Sequence, residues 1–143
     1  MVTYLTLDSS IIVASLRKQE EKHIVCKRLL ERVKNGEFVA LEPYMVLVEV
    51  VAAIRRRTGS ESLAEIVKHG LEDISSIISM DMISIRADDA AKIAKQTGVR
   101  GMDAIVIQIA KEFGSPLVSL DMEMIERSKY IITTANIEDV VKL

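Results

Sequence analysis

Residues 2–10 read Val2-Thr-Tyr-Leu-Thr-Leu7-Asp8-Ser9-Ser10, an apolar run that ends in an acid and two hydroxyl side chains. The first six residues are rich in β-formers, and so short a run predicts a buried strand. Ser9 or Ser10 is a favoured helix N-cap, so a helix is expected from about Ile11. The same pairing of a short apolar strand with a helix recurs along the rest of the chain.

This alternation predicts the α/β class. Further strands are expected at 38–41, 82–85, 117–120 and 131–134. Helices are expected at about 20–34, 43–57, 61–79, 88–96 and 103–113, with a short one after Asp121. Strands separated by helices indicate a parallel sheet that is covered on both faces.

Composition limits the classes of function. Hydrophobic residues make up 49% of the 143 residues and charged residues 28%, which excludes a disordered or fibrous chain. The single cysteine, Cys26, excludes an internal disulfide and a cysteine-based zinc site. No apolar run reaches the roughly 18 residues of a membrane span. We therefore expect a soluble, cytoplasmic protein with one domain over residues 1–143 and no membrane partner.

Charge is spread unevenly along the chain. The net charge is −2, yet residues 17–57 contain ten Lys or Arg against six Asp or Glu, a local excess of +4. Nucleic acids are bound by basic patches and not by total charge, so the total does not exclude an RNA-binding protein.

Two acids follow predicted strands directly. Asp8 comes after Leu7, and Asp121 comes after Leu117-Val-Ser-Leu120. Ligands of parallel α/β sheets bind beyond the carboxyl ends of the strands, so both carboxylates enter one crevice if the two strands are neighbours. For each acid taken alone, a helix N-cap is the competing explanation. Asp103, at the start of a predicted helix, is also explained by the helix macrodipole.

Glu49 is harder to explain as a structural residue. It lies in Met45-Val-Leu-Val-Glu49-Val-Val-Ala-Ala-Ile54, a helix with apolar residues on every side. We expect its carboxylate to be substantially buried, and a buried carboxylate needs a cation, a metal or a raised pKa. The alternative is a buried salt bridge to an arginine elsewhere in the fold.

Four carboxylates in one cleft repel one another and stay ionised together only when a cation is present. Ligation by oxygen alone suits Mg²⁺ or Mn²⁺, which also bind phosphate oxygens. Such a site favours hydrolysis of a phosphodiester bond, because the metal acidifies the attacking water and neutralises charge on the phosphate.

Four blocks of the sequence resemble, in order and spacing, the blocks of the PIN domain family. They are Leu7-Asp8-Ser9-Ser10, Glu49-Val-Val-Ala-Ala-Ile-Arg-Arg56, Gly101-Met-Asp103-Ala104 and Leu117-Val-Ser-Leu-Asp121. The resemblance covers essentially the whole chain, and among PIN proteins it is greatest to the VapC toxins of type II toxin–antitoxin pairs. It implies a three-layer α/β/α fold whose central parallel sheet has four or five strands.

The resemblance also implies an activity, that of an Mg²⁺- or Mn²⁺-dependent endoribonuclease. The acidic positions of the family, catalytic and metal-binding, fall on Asp8, Glu49, Asp103 and Asp121. Its supporting hydroxyl positions fall on Ser9 and Ser119. The implied partners are an RNA substrate, a VapB-like antitoxin and a second copy of the chain.

Two arginines are candidate RNA contacts. Arg56 lies seven residues after Glu49 on the same helix face, and Arg100 precedes the predicted helix of Asp103. A solvated helix end is the alternative for Arg56. Apolar residues on more than one face of the helices at 11–14 and 46–54 favour a homodimer.

Other function classes stay open at this point. A housekeeping PIN-domain nuclease for RNA processing has the same acids as a toxin. A receiver-like phosphoacceptor is also α/β, but it needs an acidic pair after the first strand and a lysine after a late one. Asp8 is instead followed by serines, and Leu120 by Asp121. A protein-interaction module does not require four acids in register.

Overall fold

The computed structural model describes residues 3–143 and contains four strands and eight helices in this range. In chain order these are β1 Thr3–Leu7, α1 Ser9–Leu16, α2 His23–Lys34, β2 Phe38–Pro43, α3 Met45–Thr58, α4 Glu61–Glu72, β3 Ile77–Met80, α5 Ser84–Thr97, α6 Gly101–Phe113, β4 Leu117–Val118, α7 Met122–Ser128 and α8 Ile137–Val141. Val2, the first residue of the predicted strand, lies outside the described residues.

The four strands form one parallel sheet in the order β3-β2-β1-β4. Leu5, Thr6 and Leu7 are each at most 2% exposed. Because consecutive strand residues point to opposite faces, β1 is covered on both sides. The predicted α/β class with a central parallel sheet is confirmed, and the sheet has four strands.

Helices flank this sheet in a three-layer α/β/α arrangement. α6 lies against β1 and β2, and α5 packs on α6. α1 packs against α2 and α3, and α3 packs against α4. The buried apolar side chains of these elements form one contiguous cluster. Within residues 3–143, no helix has the length and apolar character needed to cross a membrane.

The prediction for residues 61–85 was wrong in two places. α4 ends at Glu72 and not at Ser79. The strand after it is Ile77–Met80 and not 82–85, because α5 already begins at Ser84. Leu71, Ile74 and Ile78 continue the three- and four-residue spacing of a helix, so the pattern alone favoured a longer helix. Pairing with β2 decides the outcome, because Ile77–Met80 aligns with Ala40–Pro43 along its whole length.

Smaller errors in predicted boundaries occur elsewhere in the chain. Pro43 ends β2, which extends two residues beyond the predicted Leu41, and α3 begins only at Met45. The helix expected from Glu20 begins at His23. The predicted last strand at 131–134 is reduced to one bridge between Thr134 and Leu117.

Candidate active site

Four acids from four separate segments line one cleft of about 460 Å³ at the carboxyl ends of β1 and β4. Asp8 follows β1, Glu49 lies on α3, Asp103 lies in the first turn of α6, and Asp121 precedes α7. We call this cleft the acidic cleft. Its lining is completed by Ser9, Ser10, Val13, Glu20, Ala53, Arg56, Arg57, Arg100 and Leu120.

Pairing of β1 with β4 brings the two strand-end acids together. The Asp8 backbone N–H donates to the Val118 carbonyl oxygen at 2.9 Å, so the chain leaves both strands at the same edge. Ser119 then joins the two acids. Its Oγ donates to Asp8 Oδ2 at 2.8 Å and accepts from the Asp121 backbone N–H at 2.9 Å.

Asp8 is held by hydroxyl groups and does not cap α1 with its side chain. It occupies the N-cap position, but its carboxylate accepts no hydrogen bond from the backbone N–H groups of the first turn. Oδ2 instead accepts from Ser10 Oγ as well as from Ser119 Oγ, each at 2.8 Å. The expectation that Ser9 or Ser10 caps the helix was wrong, because α1 already begins at Ser9.

Ser10 was missed as a supporting residue by the sequence analysis. Its Oγ also accepts from the Leu120 backbone N–H at 3.1 Å, so it links the start of α1 to the segment after β4. Two consecutive hydroxyls after a strand-end acid were the available signal. Only strand pairing reveals that the second one reaches across the sheet edge.

For Asp121 the capping explanation is correct and coexists with a place in the cleft. Its Oδ1 accepts from the backbone N–H groups of Glu123 at 3.0 Å and Met124 at 3.1 Å, which caps α7. The same side chain lines the acidic cleft.

Glu49 is half-buried and faces the cleft from α3. Its Oε1 accepts a short hydrogen bond from Ser9 Oγ, so its partner is a hydroxyl and not the arginine that a buried salt bridge requires. The carboxylate was expected to be substantially buried, and Glu49 is buried only in part. Val48 is 61% exposed, so the helix has one open apolar side.

Asp103 has the clearest electrostatic perturbation in the cleft. Burial raises the pKa of its carboxyl from 3.8 to about 6, and the charges of Asp8, Asp121 and Glu49 add to the rise. Arg100 acts in the opposite direction. Burial and neighbouring carboxylates both disfavour the charged form of the carboxyl, whereas a nearby guanidinium favours it.

The donor set suits a hard divalent cation. Within residues 3–143, no group of three or more Asp, Glu, His or Cys side chains is arranged to hold one metal ion. Mg²⁺, however, is commonly held by one or two carboxylates together with several waters. Carboxylate and hydroxyl oxygens are the side-chain donors around Asp8, and this chemistry fits Mg²⁺ or Mn²⁺.

Three arginines border the acids. Arg56, Arg57 and Arg100 all line the cleft and are exposed. Arg57 is engaged, since its guanidinium lies 2.6 Å from Glu20 Oε1. For Arg56 and Arg100, residues 3–143 supply no ion-pair partner, so both guanidinium groups are open to an anionic ligand.

A buried carboxyl outside the cleft lining was also missed. Glu42, at the end of β2, is 2% exposed, and its Oε1 accepts from the Leu7 backbone N–H at 2.6 Å. The predicted strand stopped at Leu41, so Glu42 was assigned to a connecting segment. An acid directly after an apolar strand and before a proline was the signal that could have identified it.

Replacement of Asp121 separates its capping role from its charge. Without metal, Asp121→Ala should lower the free energy of unfolding by about 1 kcal/mol, because the cap of α7 is lost. Asp121→Asn keeps an acceptor for the cap and removes one repelling charge, so it should be at least as stable as the parent. Urea unfolding in EDTA measures both. An equal loss in the two variants would show that the charge of Asp121 is not repelled.

The raised pKa of Asp103 predicts a pH dependence of the metal-free protein. The folded carboxyl binds its proton more tightly than the unfolded one, so its stabilising contribution is complete below pH 3.8 and is lost as pH rises through about 6. Asp103→Asn should therefore gain stability relative to the parent between pH 4 and pH 7. Thermal unfolding of both proteins across this range tests the prediction. A difference in melting temperature that does not change with pH would contradict the raised pKa of Asp103.

Comparison with known proteins places the chain in a family. The sequence matches the PIN domain family over residues 5–129. No curated protein matches the sequence. Among solved structures, the fold is similar to PAE2754 from Pyrobaculum aerophilum, with a TM-score of 0.68 and 18% identity over 99% of this chain and 96% of that one.

Two further structures share this fold. VapC20 of Mycobacterium tuberculosis, described as a sarcin–ricin loop cleaving toxin, has a TM-score of 0.67 and 16% identity over 83% of this chain and 87% of that one. DNA-bound VapBC from Salmonella typhimurium has a TM-score of 0.66 and 15% identity over 96% and 99%. The family match, which spans most of the sequence, and the α/β/α fold with its acidic cleft lead to one conclusion: this chain belongs to the PIN domain family.

Proposed function

We propose that this protein is an endoribonuclease that depends on Mg²⁺ or Mn²⁺ and hydrolyses RNA phosphodiester bonds. The acidic cleft carries the proposal, because four carboxylates from four segments line it and two arginines that have no ion-pair partner among residues 3–143 border it. Family membership supports a nuclease. The fold shared with VapC20 and VapBC supports the more specific role of the toxin in a type II toxin–antitoxin pair.

In this proposal, Asp8, Glu49, Asp103 and Asp121 are the catalytic and metal-binding acids, of which one or two would contact the cation directly and the others through its waters. The cation supplies an acidified water and neutralises the charge that develops on the phosphate. Two hydroxyls fix one oxygen of Asp8, as two backbone N–H groups fix one oxygen of Asp121. Ser9 orients Glu49 in the same way, and Ser119 holds Asp8 while it ties down the Asp121 backbone.

Arg56 and Arg100 are the proposed contacts to RNA. Both line the cleft beside the acids. An RNA strand that places one of its phosphates at the acids therefore brings neighbouring phosphates near these guanidinium groups. Contacts to phosphate position a nucleic acid without reading its sequence. Arg57 is not assigned this role, because Glu20 already neutralises it.

A VapB-like antitoxin is the proposed protein partner, and the cytoplasm is the proposed location of both proteins. Five acids line the cleft, including Glu20 at its edge. A basic side chain inserted among them relieves their repulsion and blocks the position of the cation, which gives an antitoxin a simple means of inhibition. Structures of VapBC and FitAB with a similar fold support a partner of this kind.

A homodimer is proposed from the open side of α3. A groove of about 460 Å³ lies between α3 and α4 and is mostly apolar, and Tyr44 and Val48 beside it are 47% and 61% exposed. The stretch at 11–14 does not contribute to this argument as expected. Ile11, Ile12, Val13 and Ala14 are each at most 4% exposed and belong to the core of the chain itself.

Replacement of Asp8 tests the nuclease. The parent with Mg²⁺ or Mn²⁺ should cleave RNA at defined positions, detected by mapping new 5′ ends after incubation with total RNA. Asp8→Asn should abolish cleavage and leave the protein folded, because it removes the charge that the cation needs. Asp89→Asn, an exposed acid on α5 outside the cleft, serves as the matched control and should stay active.

Two results would contradict the nuclease proposal. One is cleavage by Asp8→Asn at the parent's rate, and the other is undiminished cleavage by the parent in excess EDTA. Circular dichroism of both variants distinguishes a lost site from a lost fold.

Light scattering tests the dimer. The parent at micromolar concentration should return about twice the chain mass of 15.9 kDa. Val48→Glu should give a monomer, because it places a charge in the apolar groove, whereas Ile85→Glu on α5, where Ile85 is 71% exposed, should leave the dimer intact. A parent that is monomeric refutes the dimer, and dissociation by Ile85→Glu alone moves the interface to α5.

A further inference from the structure

A buried carboxyl lies near the acidic cleft, in contact with the residue before Asp8. Glu42 is 2% exposed at the end of β2, and its Oε1 accepts from the Leu7 backbone N–H at 2.6 Å. Within residues 3–143, its Oε2 has no hydrogen-bond partner. The side chain borders a separate cavity of about 260 Å³ and not the acidic cleft, so the contact that connects it to the cleft is the one made by Oε1.

Side chains take over from the backbone where β1 and β2 end. The two strands align from Thr3 to Leu5, with Leu5 opposite Ala40. Beyond that point, Thr6 Oγ1 donates to the Leu41 carbonyl oxygen at 2.9 Å, and Glu42 Oε1 accepts from Leu7. These two contacts continue the connection between the strands to the last residue before Asp8.

The end of β1 is therefore held from two sides at consecutive amides. On the β2 side, the Leu7 N–H is bound by Glu42, and on the β4 side, the Asp8 N–H is bound by the Val118 carbonyl oxygen. The Leu7 N–H lies in the Thr6–Leu7 peptide and the Asp8 N–H in the Leu7–Asp8 peptide, so together these contacts fix the two peptides that lead into Asp8. Without the contact from Glu42, the amides at the end of β1 are held from the β4 side alone.

The electrostatics agree with a neutral carboxyl. Burial raises the pKa of Glu42 well above its usual value, and the charge of Asp8 adds to the rise, while the hydrogen bond from Leu7 lowers it. A neutral acid supplies the acceptor that the Leu7 N–H needs and adds no further negative charge beside the cleft.

We propose that Glu42 is a positioning residue of the acidic cleft: by accepting a hydrogen bond from the Leu7 N–H, it fixes the Thr6–Leu7 peptide directly before Asp8 and so the direction in which the chain enters Asp8. The proposal rests on the proposed function, since it assumes that Asp8 holds the catalytic cation. It differs from a purely structural role, in which Glu42 stabilises the fold and leaves the geometry of Asp8 unchanged.

Two substitutions at Glu42 separate these roles. Glu42→Gln keeps the acceptor, whereas Glu42→Leu removes it at similar size. The matched control is Leu29→Ala, which opens a cavity at a fully buried position of α2 outside the cleft. Mn²⁺ affinity by titration calorimetry, kcat and KM on a cleaved RNA, and the melting temperature are measured for all three.

The expected result is a split between the two Glu42 variants. Glu42→Leu should lose about 10- to 100-fold in Mn²⁺ affinity and in kcat, the range seen when residues that orient metal ligands are removed, with KM for RNA near the parent's value. Glu42→Gln should retain both properties. Leu29→Ala should melt at a lower temperature and still bind Mn²⁺ like the parent.

The proposal is overturned if Glu42→Leu binds Mn²⁺ and turns over RNA like the parent, or if Glu42→Gln is impaired as much as Glu42→Leu. Glu42→Met replaces Glu42→Leu if the latter does not fold, and failure of both to fold assigns Glu42 a structural role instead. A parent that neither binds Mn²⁺ nor cleaves RNA refutes the proposed function itself, which is a different outcome.

Discussion

The parallel pairing of β1 with β4 is the contact on which the rest of the site depends. The hydrogen bond from the Asp8 N–H to the Val118 carbonyl oxygen sets the register of the two strand ends. From that register, Ser119 reaches Asp8, and Asp121 follows two residues later beside the same cleft. A shift of one residue would turn Asp8 toward the opposite face of the sheet, because side chains alternate along a strand.

Hydroxyl groups help the four carboxylates to share one cleft. Ser9, Ser10 and Ser119 each donate to a carboxylate of the cleft, so part of the negative charge is compensated by hydrogen bonds without a positive residue in the centre. The compensation is incomplete: burial raises the pKa of Asp103, and the charges of Asp8, Asp121 and Glu49 raise it further. An incompletely compensated cluster of this kind attracts cations, whether a metal ion or the basic side chain of a partner.

α3 contributes to two surfaces, because an α-helix makes one turn every 3.6 residues and therefore presents different residues on its different sides. Glu49 and Arg56 lie seven residues apart and both face the acidic cleft. Val48 and Val51 lie on another side and line the apolar groove against α4. One helix thus connects the proposed catalytic site with the proposed dimer interface, so a partner bound at the groove contacts the element that carries Glu49.

The sequence by itself determined the α/β class, the parallel sheet and the four acids of the cleft, since these depend on local periodicity, on acids directly after strands and on acids within apolar helices. It also identified the C-terminal ends of α3 and α6 to within one residue, where Gly59 and Gly114 adopt the left-handed conformation. Only the tertiary structure decided that residues 77–80 form a strand, that Ser10 holds Asp8, and that Glu42 binds the Leu7 amide. It also decided that the apolar stretch at 11–14 is core while α3 stays open. Each of these depends on which distant segment lies alongside, and local periodicity carries no information about that partner.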